Sequence, residues 1–371
     1  MQQSEVSVSN GPITRRTTLG AVGAGLSVGL AGCAGSILGS EETFTVDYHP
    51  YYSQAFSALV IKHGELWRDH LPDGYDVNWH AVLQGAPTVN RLIAHETDLG
   101  YMGDNPAIIA ASNEDTDISV VGMSGYSLGQ QGLLCVTGPG ADVTDPADLD
   151  GAEINVTQGT IAHRFLQTVV AAEDLDITVL DQDINSIVTN LREESVDIAF
   201  GWEPSMSRVV YQDEAAEYSF TGAAYDEPDL GALVVPDAVM DEHWDAAVGW
   251  LKAELEAKHI LAEDPERALD YGLEEEELSR DLDRDTVEQA LYEPVPVNSD
   301  VPRQEFVTDF SEIDLATDLL TERGPAFLRD EVEVIDREPP QDRFNTELIA
   351  AAVDELSDEV DWNPHRAGEL S

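Results

Sequence analysis

Asp98-Leu99-Gly100-Tyr101-Met102-Gly103-Asp104-Asn105-Pro106-Ala107 is the stretch on which the fold turns. Residues 98–102, apolar from Leu99 on, have the length of a buried strand, and 106–112 read as a helix. Between them stands a glycine-started turn, and Pro106 opens the helix with a φ already fixed for the first turn. A strand passing within a few residues into a helix is half of a βαβ unit. Repeated, it predicts a parallel sheet covered by helices. The unit repeats outward. Upstream, 44–48 and 75–81 read as strands and 88–94 as a helix, with helical spacing also at Ala55, Phe56, Leu59, Val60, His63 and Leu66. Downstream, 118–123 reads as a strand.

After the loop at 138–142 a second set begins: strands at 154–156, 177–180 and 196–200, and helices at 161–172, 184–191 and 205–211. The apolar runs 132–137 and 230–235 flank this set and read as paired crossover strands joining two lobes. Beyond Pro236 the pattern is mostly helical, with amphipathic stretches at 244–261, 315–320 and 348–356 and a loop at 294–298. The expected organisation is an export signal at 1–32, a tether at 33–42, a first lobe at 43–137, a second at 138–230, and a return to the first at 231–371 with C-terminal helices.

The N-terminus points to export. Arg15-Arg16 precede a Gly/Ala-rich apolar stretch at 20–32, too short to span a bilayer, which needs about 20 apolar residues. The paired arginines resemble a twin-arginine signal, and Leu30-Ala31-Gly32-Cys33 resembles a lipobox that leaves Cys33 lipidated on the outer face of the cell membrane. Acids outnumber bases 73 to 19, for a formal charge of -54. Nucleic acid and anionic membrane surfaces repel such a chain. With 42% hydrophobic residues in periodic order the chain reads as folded, and its acidity resembles that of proteins from extreme halophiles. Molar salt shortens the screening length to about 3 Å and quenches self-repulsion. Cys135 is the one cysteine besides Cys33 and reads as a small buried hydrophobe; no metal spacing and no cofactor motif occurs.

The functional signal lies between strands and helices. The turns are His49-Pro50-Tyr51, Gln84-Gly85-Ala86-Pro87, Gly103-Asp104-Asn105-Pro106, Gln158-Gly159-Thr160 and Gly201-Trp202-Glu203-Pro204. In a parallel sheet these lie at the carboxyl edge of the strands, where α/β folds bind ligands. Helix starts there favour a small anion.

Residues 92–107, with Asp148-Leu149-Asp150-Gly151, 159–164 and 196–204 in the same order, resemble the solute-binding proteins of sulfonate/taurine/nitrate ABC importers. The resemblance covers roughly 44–268. It implies a two-lobed type II periplasmic-binding fold that closes on its ligand about a two-strand hinge and docks, as a monomer, onto permease and ATPase subunits. Carried over, the ligand contacts are His49, Tyr51, Gln84, Gly85, Gly103 and Asp104 in the first lobe, with Ser124 where the fourth strand ends. In the second lobe they are Gly159, Thr160, His163, Trp202 and Glu203. Asp104 reads equally as a helix cap, His163 as a solvated side chain, and Glu203 as a partner of a ligand ammonium or of the helix dipole. Arg164 reads as a surface partner of a carboxylate. Few cations surround the cleft, which suits a monoanionic sulfonate or nitrate better than a multiply charged phosphate, and Asp104 and Glu203 would repel an anion unless they face the positive end of a zwitterion such as taurine. Two other readings share the scaffold: a thiamine-pyrimidine-precursor binding or synthase-like protein, whose cysteine-rich motif is missing here, and a sensor subunit.

Overall fold

The computed structural model describes residues 42–113, 116–305 and 318–364. The signal, most of the tether with Cys33, and part of the predicted 315–320 stretch lie outside the described residues.

The first sheet has the order β2-β1-β3-β10-β4. Its strands are β1 (Glu42–Tyr48), β2 (Tyr75–Ala81), β3 (Leu99–Gly103), β4 (Ile118–Ser127) and β10 (Asp229–Pro236). β1 runs parallel to β2 and β3, whereas β10 is antiparallel to both β3 and β4. The second sheet repeats the plan as β7-β6-β8-β5-β9. It is built from β5 (Leu134–Thr137), β6 (Glu153–Val156), β7 (Thr178–Asp181), β8 (Ile198–Gly201) and β9 (Glu217–Thr221). β6 is parallel to β7 and β8, and β5 is antiparallel to β8 and β9. The molecule is thus α/β with two mixed sheets. Each expected parallel sheet carries one reversed strand, and that strand is one of the predicted crossover runs. β5 and β10 do not pair with each other; each completes a different sheet, because the chain reverses direction each time it changes lobe.

The crossings themselves are short, at 128–133 and 222–228, and they are bonded together. Gly222 N–H donates to the carbonyls of Gly129 (3.1 Å) and Leu133 (2.9 Å). Gly129 has φ +71°, and a Cβ there would stand 2.4 Å from the Ala223 nitrogen, so glycine alone allows this approach. Asp229, buried at the start of β10, accepts from Gln54 Nε2 (2.8 Å), the Gly132 amide (2.5 Å) and the Ser127 hydroxyl. Its carboxylate ties both crossings to the first sheet.

The strands sit where burial requires. β1 is covered on both faces: Phe44 and Val46 enter the core, while Asp47, with no exposure, meets Arg91 (3.0 Å) and Thr97 (2.7 Å) on the other side. The helix Trp244–Glu263 departs from the expected amphipathic pattern, since Val248, Trp250, Leu251 and Leu255 are buried together with Lys252, Glu254 and Lys258. It lies between the helices Ser57–His63 and Glu347–Ser357 and is covered on several sides. The Tyr101 hydroxyl donates to Glu254 (2.7 Å), and Lys258 donates to the Met123 carbonyl, so the buried charges are met. Cys135 is buried in β5. Among the described residues no helix is long and apolar enough to cross a membrane.

Candidate functional site

Three helices begin at one place. The helix Gly85–Ile93 follows β2, Asp104–Ser112 follows β3, and Ile161–Glu173 follows β6 across the cleft. Gln84 and Gly103 precede the first two without a side-chain cap, so no side chain competes for the amides of Gly85 and Ala86. The third is capped by Thr160, whose hydroxyl takes the His163 amide at 3.4 Å. The two first-lobe helix starts touch: a Cβ on Gly85 would lie 2.4 Å from the Pro106 ring. Glycine there brings both termini to the same spot.

Between these starts lies a cavity of about 210 Å³. The first lobe contributes His49, Tyr52, the Leu83-Gln84-Gly85-Ala86 turn, Val89, Gly103, Pro106 and Ile109. The second contributes Gln158, Gly159, Thr160, Ile161 and Trp202. The lobes are in contact around it. Ser53 N–H donates to the Glu203 carbonyl (3.2 Å), and Asn105 Nδ2 donates to the Gly159 carbonyl (3.4 Å).

Among the described residues the lining contains no Asp, Glu, Lys or Arg. Its one titratable group near neutrality is His49, 5% exposed, whose pKa burial pushes down to about 4, against a smaller opposing effect from the Tyr101 carbonyl. The ring is neutral at pH 7. The hydroxyls are committed: Thr160 donates to the Thr157 carbonyl (2.7 Å), and Tyr52 is held between Gln54 Oε1 (2.6 Å) and the Leu230 carbonyl (3.1 Å). What remains is an uncharged chamber with apolar walls and polar amides at one side.

The family described as NMT1/THI5 like matches residues 74–268, more than half of the chain. The chain belongs to the NMT1/THI5-like family. It is similar to the taurine-binding periplasmic protein of Escherichia coli (strain K12), at 21% identity over 196 residues, which are 52% of this chain and 60% of that protein. The match thus spans less than two thirds of that relative. The fold is similar to the periplasmic aliphatic sulphonate-binding protein of Escherichia coli, with TM-score 0.65 and 15% identity over 81% of this chain and 91% of that one. It is also similar to the periplasmic nitrate-binding protein from Synechocystis PCC 6803, with TM-score 0.64 and 14% identity over 87% and 92% of the two chains. The two-lobed periplasmic-binding fold follows from this likeness and from the sheet orders.

In this member of the NMT1/THI5-like family, seven of the predicted contacts line the cavity together: His49, Gln84, Gly85, Gly103, Gly159, Thr160 and Trp202. Five do not. Asp104, fully buried, pairs with Arg164 (3.1 Å), which also holds Glu227 (2.8 Å). Arg164 does find carboxylates, but inside the protein between the lobes, not at the surface. Glu203, 1% exposed, pairs with the buried Arg303 and accepts from the Tyr218 hydroxyl (2.5 Å) and the Ser207 amide (2.8 Å). Neither carboxylate faces the cavity. Ser124 packs against Gly231, because β10 is inserted between β3 and β4 and moves the end of β4 away. His163 takes the Gly159 amide on Nδ1 (3.2 Å) and sets its ring edge-on to Phe327, supporting the Gly159 turn from behind. Tyr51 turns outward, its hydroxyl donating to the Glu277 carbonyl (2.5 Å) or Asp281 (2.7 Å).

The lining also holds residues that the turns alone did not single out. Val89 and Ile109 sit one helical turn past the starts, and their apolar character is indistinguishable in sequence from core. Tyr52, Ala86, Pro106 and Gln158 lie inside the quoted turns or next to them. Arg303 carried no motif.

Proposed function

We propose that this protein is an extracytoplasmic solute receptor, lipid-anchored at Cys33, that delivers a small organic anion to the permease and ATPase subunits of an ABC importer. The observation that carries the reading is the convergence of helix starts from both lobes on one cavity free of lining charge. Amides at a helix start favour an anion by about 0.3–1 kcal/mol. Each methylene buried against the walls contributes about 0.8 kcal/mol, so a chain of a few carbons outweighs the dipole contact. Those magnitudes favour an alkanesulfonate over nitrate. Taurine would bury an ammonium opposite no carboxylate, since Asp104 and Glu203 are taken by Arg164 and Arg303. A binding role, not catalysis, is supported by a lining whose hydroxyls are hydrogen-bonded to the protein itself.

The test is a thermal-shift comparison in 2–3 M KCl of short alkanesulfonates, taurine and nitrate at equal concentration. A ligand at 100 times its dissociation constant adds about 2.7 kcal/mol. The expected order of stabilisation is alkanesulfonate, then taurine, then nitrate. No shift with any of the three classes would overturn the reading.

A further inference from the structure

Outside the first cavity, and separated from it by Leu83, lies a second chamber of about 390 Å³. Leu83 lines both and is 49% exposed, so the two form consecutive compartments of one cleft. The chain has 16 arginines against 73 acids, and three of them meet here. Arg192 ends the helix Ile184–Arg192, Arg208 opens the next helical turn, and Arg280 comes from the C-terminal helix Glu276–Asp281. Tyr51 forms part of the first-lobe wall. Three separate parts of the sequence thus bring guanidinium groups to the mouth of the solute cleft.

The carboxylates nearby do not outweigh them. Asp213 is shared, 3.1 Å from Arg192 Nε and 3.5 Å from Arg208 Nε. Asp281 is engaged by Arg280 (3.3 Å) and by the Tyr51 hydroxyl (2.7 Å), and Glu277 is the remaining lining acid. Three guanidiniums face three carboxylates, a neutral patch on a chain of formal charge -54. An anion reaching the cleft meets direct donors here and repulsion over the acidic surface elsewhere. In molar salt the screening length is about 3 Å, so what matters is contact with the guanidinium planes and not long-range steering. Those planes present paired N–H donors that match sulfonate and carboxylate oxygens.

We propose that this outer chamber is a second anion subsite of the cleft, and that the solute is an elongated organic acid with an anionic group at each end. The inference rests on the receptor reading above. One end lies at the start of the helix Gly85–Ile93, the body passes Leu83, and the other end lies on Arg192 and Arg208. Among the described residues the inner cavity has no side-chain charge to hold a second anionic group, and the outer chamber has guanidiniums for it.

The experiment is calorimetric titration with alkane monosulfonates and α,ω-alkanedisulfonates of matched, increasing chain length, on the wild type and on the double variant Arg192→Gln/Arg208→Gln. At one length or more the disulfonate is expected to bind about tenfold tighter than its monosulfonate, the equivalent of about 1.4 kcal/mol. In the double variant that advantage disappears while monosulfonate affinity is unchanged, which also shows the variant is folded. Monosulfonates binding with no disulfonate advantage at any length, or an advantage that survives the double substitution, overturns the subsite alone. Failure of both series to bind the wild type overturns the receptor reading with it.

Discussion

His49 and Asp229 lie on the same side of the cleft and answer pH in opposite directions. Burial lowers His49 from 6.5 to about 4. Between those values the unfolded ring carries a proton that the folded ring has shed, so its contribution to stability grows as pH rises and is lost on acidification. Burial raises Asp229 from 3.8 to about 6 despite its bonds to Ser127 and Gly132. In that window the folded carboxyl keeps a proton the unfolded chain has lost, so stability falls as pH rises. Each shift of roughly 2 units corresponds to about 3 kcal/mol, and over pH 4–6 the two largely cancel. Replacing His49 removes one arm. The stability of the wild type relative to His49→Gln, from urea unfolding in high KCl, is expected to rise by about 3 kcal/mol from pH 4 to 6.5. Parallel curves would mean that the buried ring does not stay neutral. At this scale the sequence was least explicit. Asp104 and Glu203 stand in the right turns, but only three dimensions show that Arg164 and Arg303, 60 and 100 residues away, have claimed them.

The strand-to-helix alternation was legible because each element announces itself locally, through an apolar run, a Gly/Pro turn and an apolar helical face. Insertion of β10 between β3 and β4 was not, since strand order depends on where the chain returns and not on what any strand contains. The C-terminal part was legible as helix and opaque in purpose. Its segment around Arg303 reaches back to the second lobe, where the guanidinium meets Glu203, the residue after the cavity wall Trp202, and donates to the Ala290 carbonyl (3.1 Å). Removing one partner of such a buried pair costs about 3–5 kcal/mol, because the other charge is left alone. Arg303→Met is expected to lower the urea midpoint accordingly, and Glu203→Met/Arg303→Met is expected to recover part of the loss. A double variant no better than the single would show that packing, not charge, holds the segment.

For the molecule as a whole, a formal charge of -54 is expected to make the stability of the fold depend on salt. Self-repulsion acts over about 10 Å at 0.1 M salt and about 3 Å at 1 M. Unfolding temperature is therefore expected to climb between 0.1 M and 3 M KCl; a flat profile would remove self-repulsion as a factor in stability. The lobes meet across the cleft through the Ser53–Glu203 and Asn105–Gly159 bonds. The account stands on the cavity those contacts enclose. It is tested most directly by a crystal structure of the chain grown with a short alkanesulfonate at high KCl. The sulfonate is expected beside the Gly85 and Ala86 amides, with its carbons against Trp202. A sulfonate bound elsewhere, with this cavity empty, would contradict it.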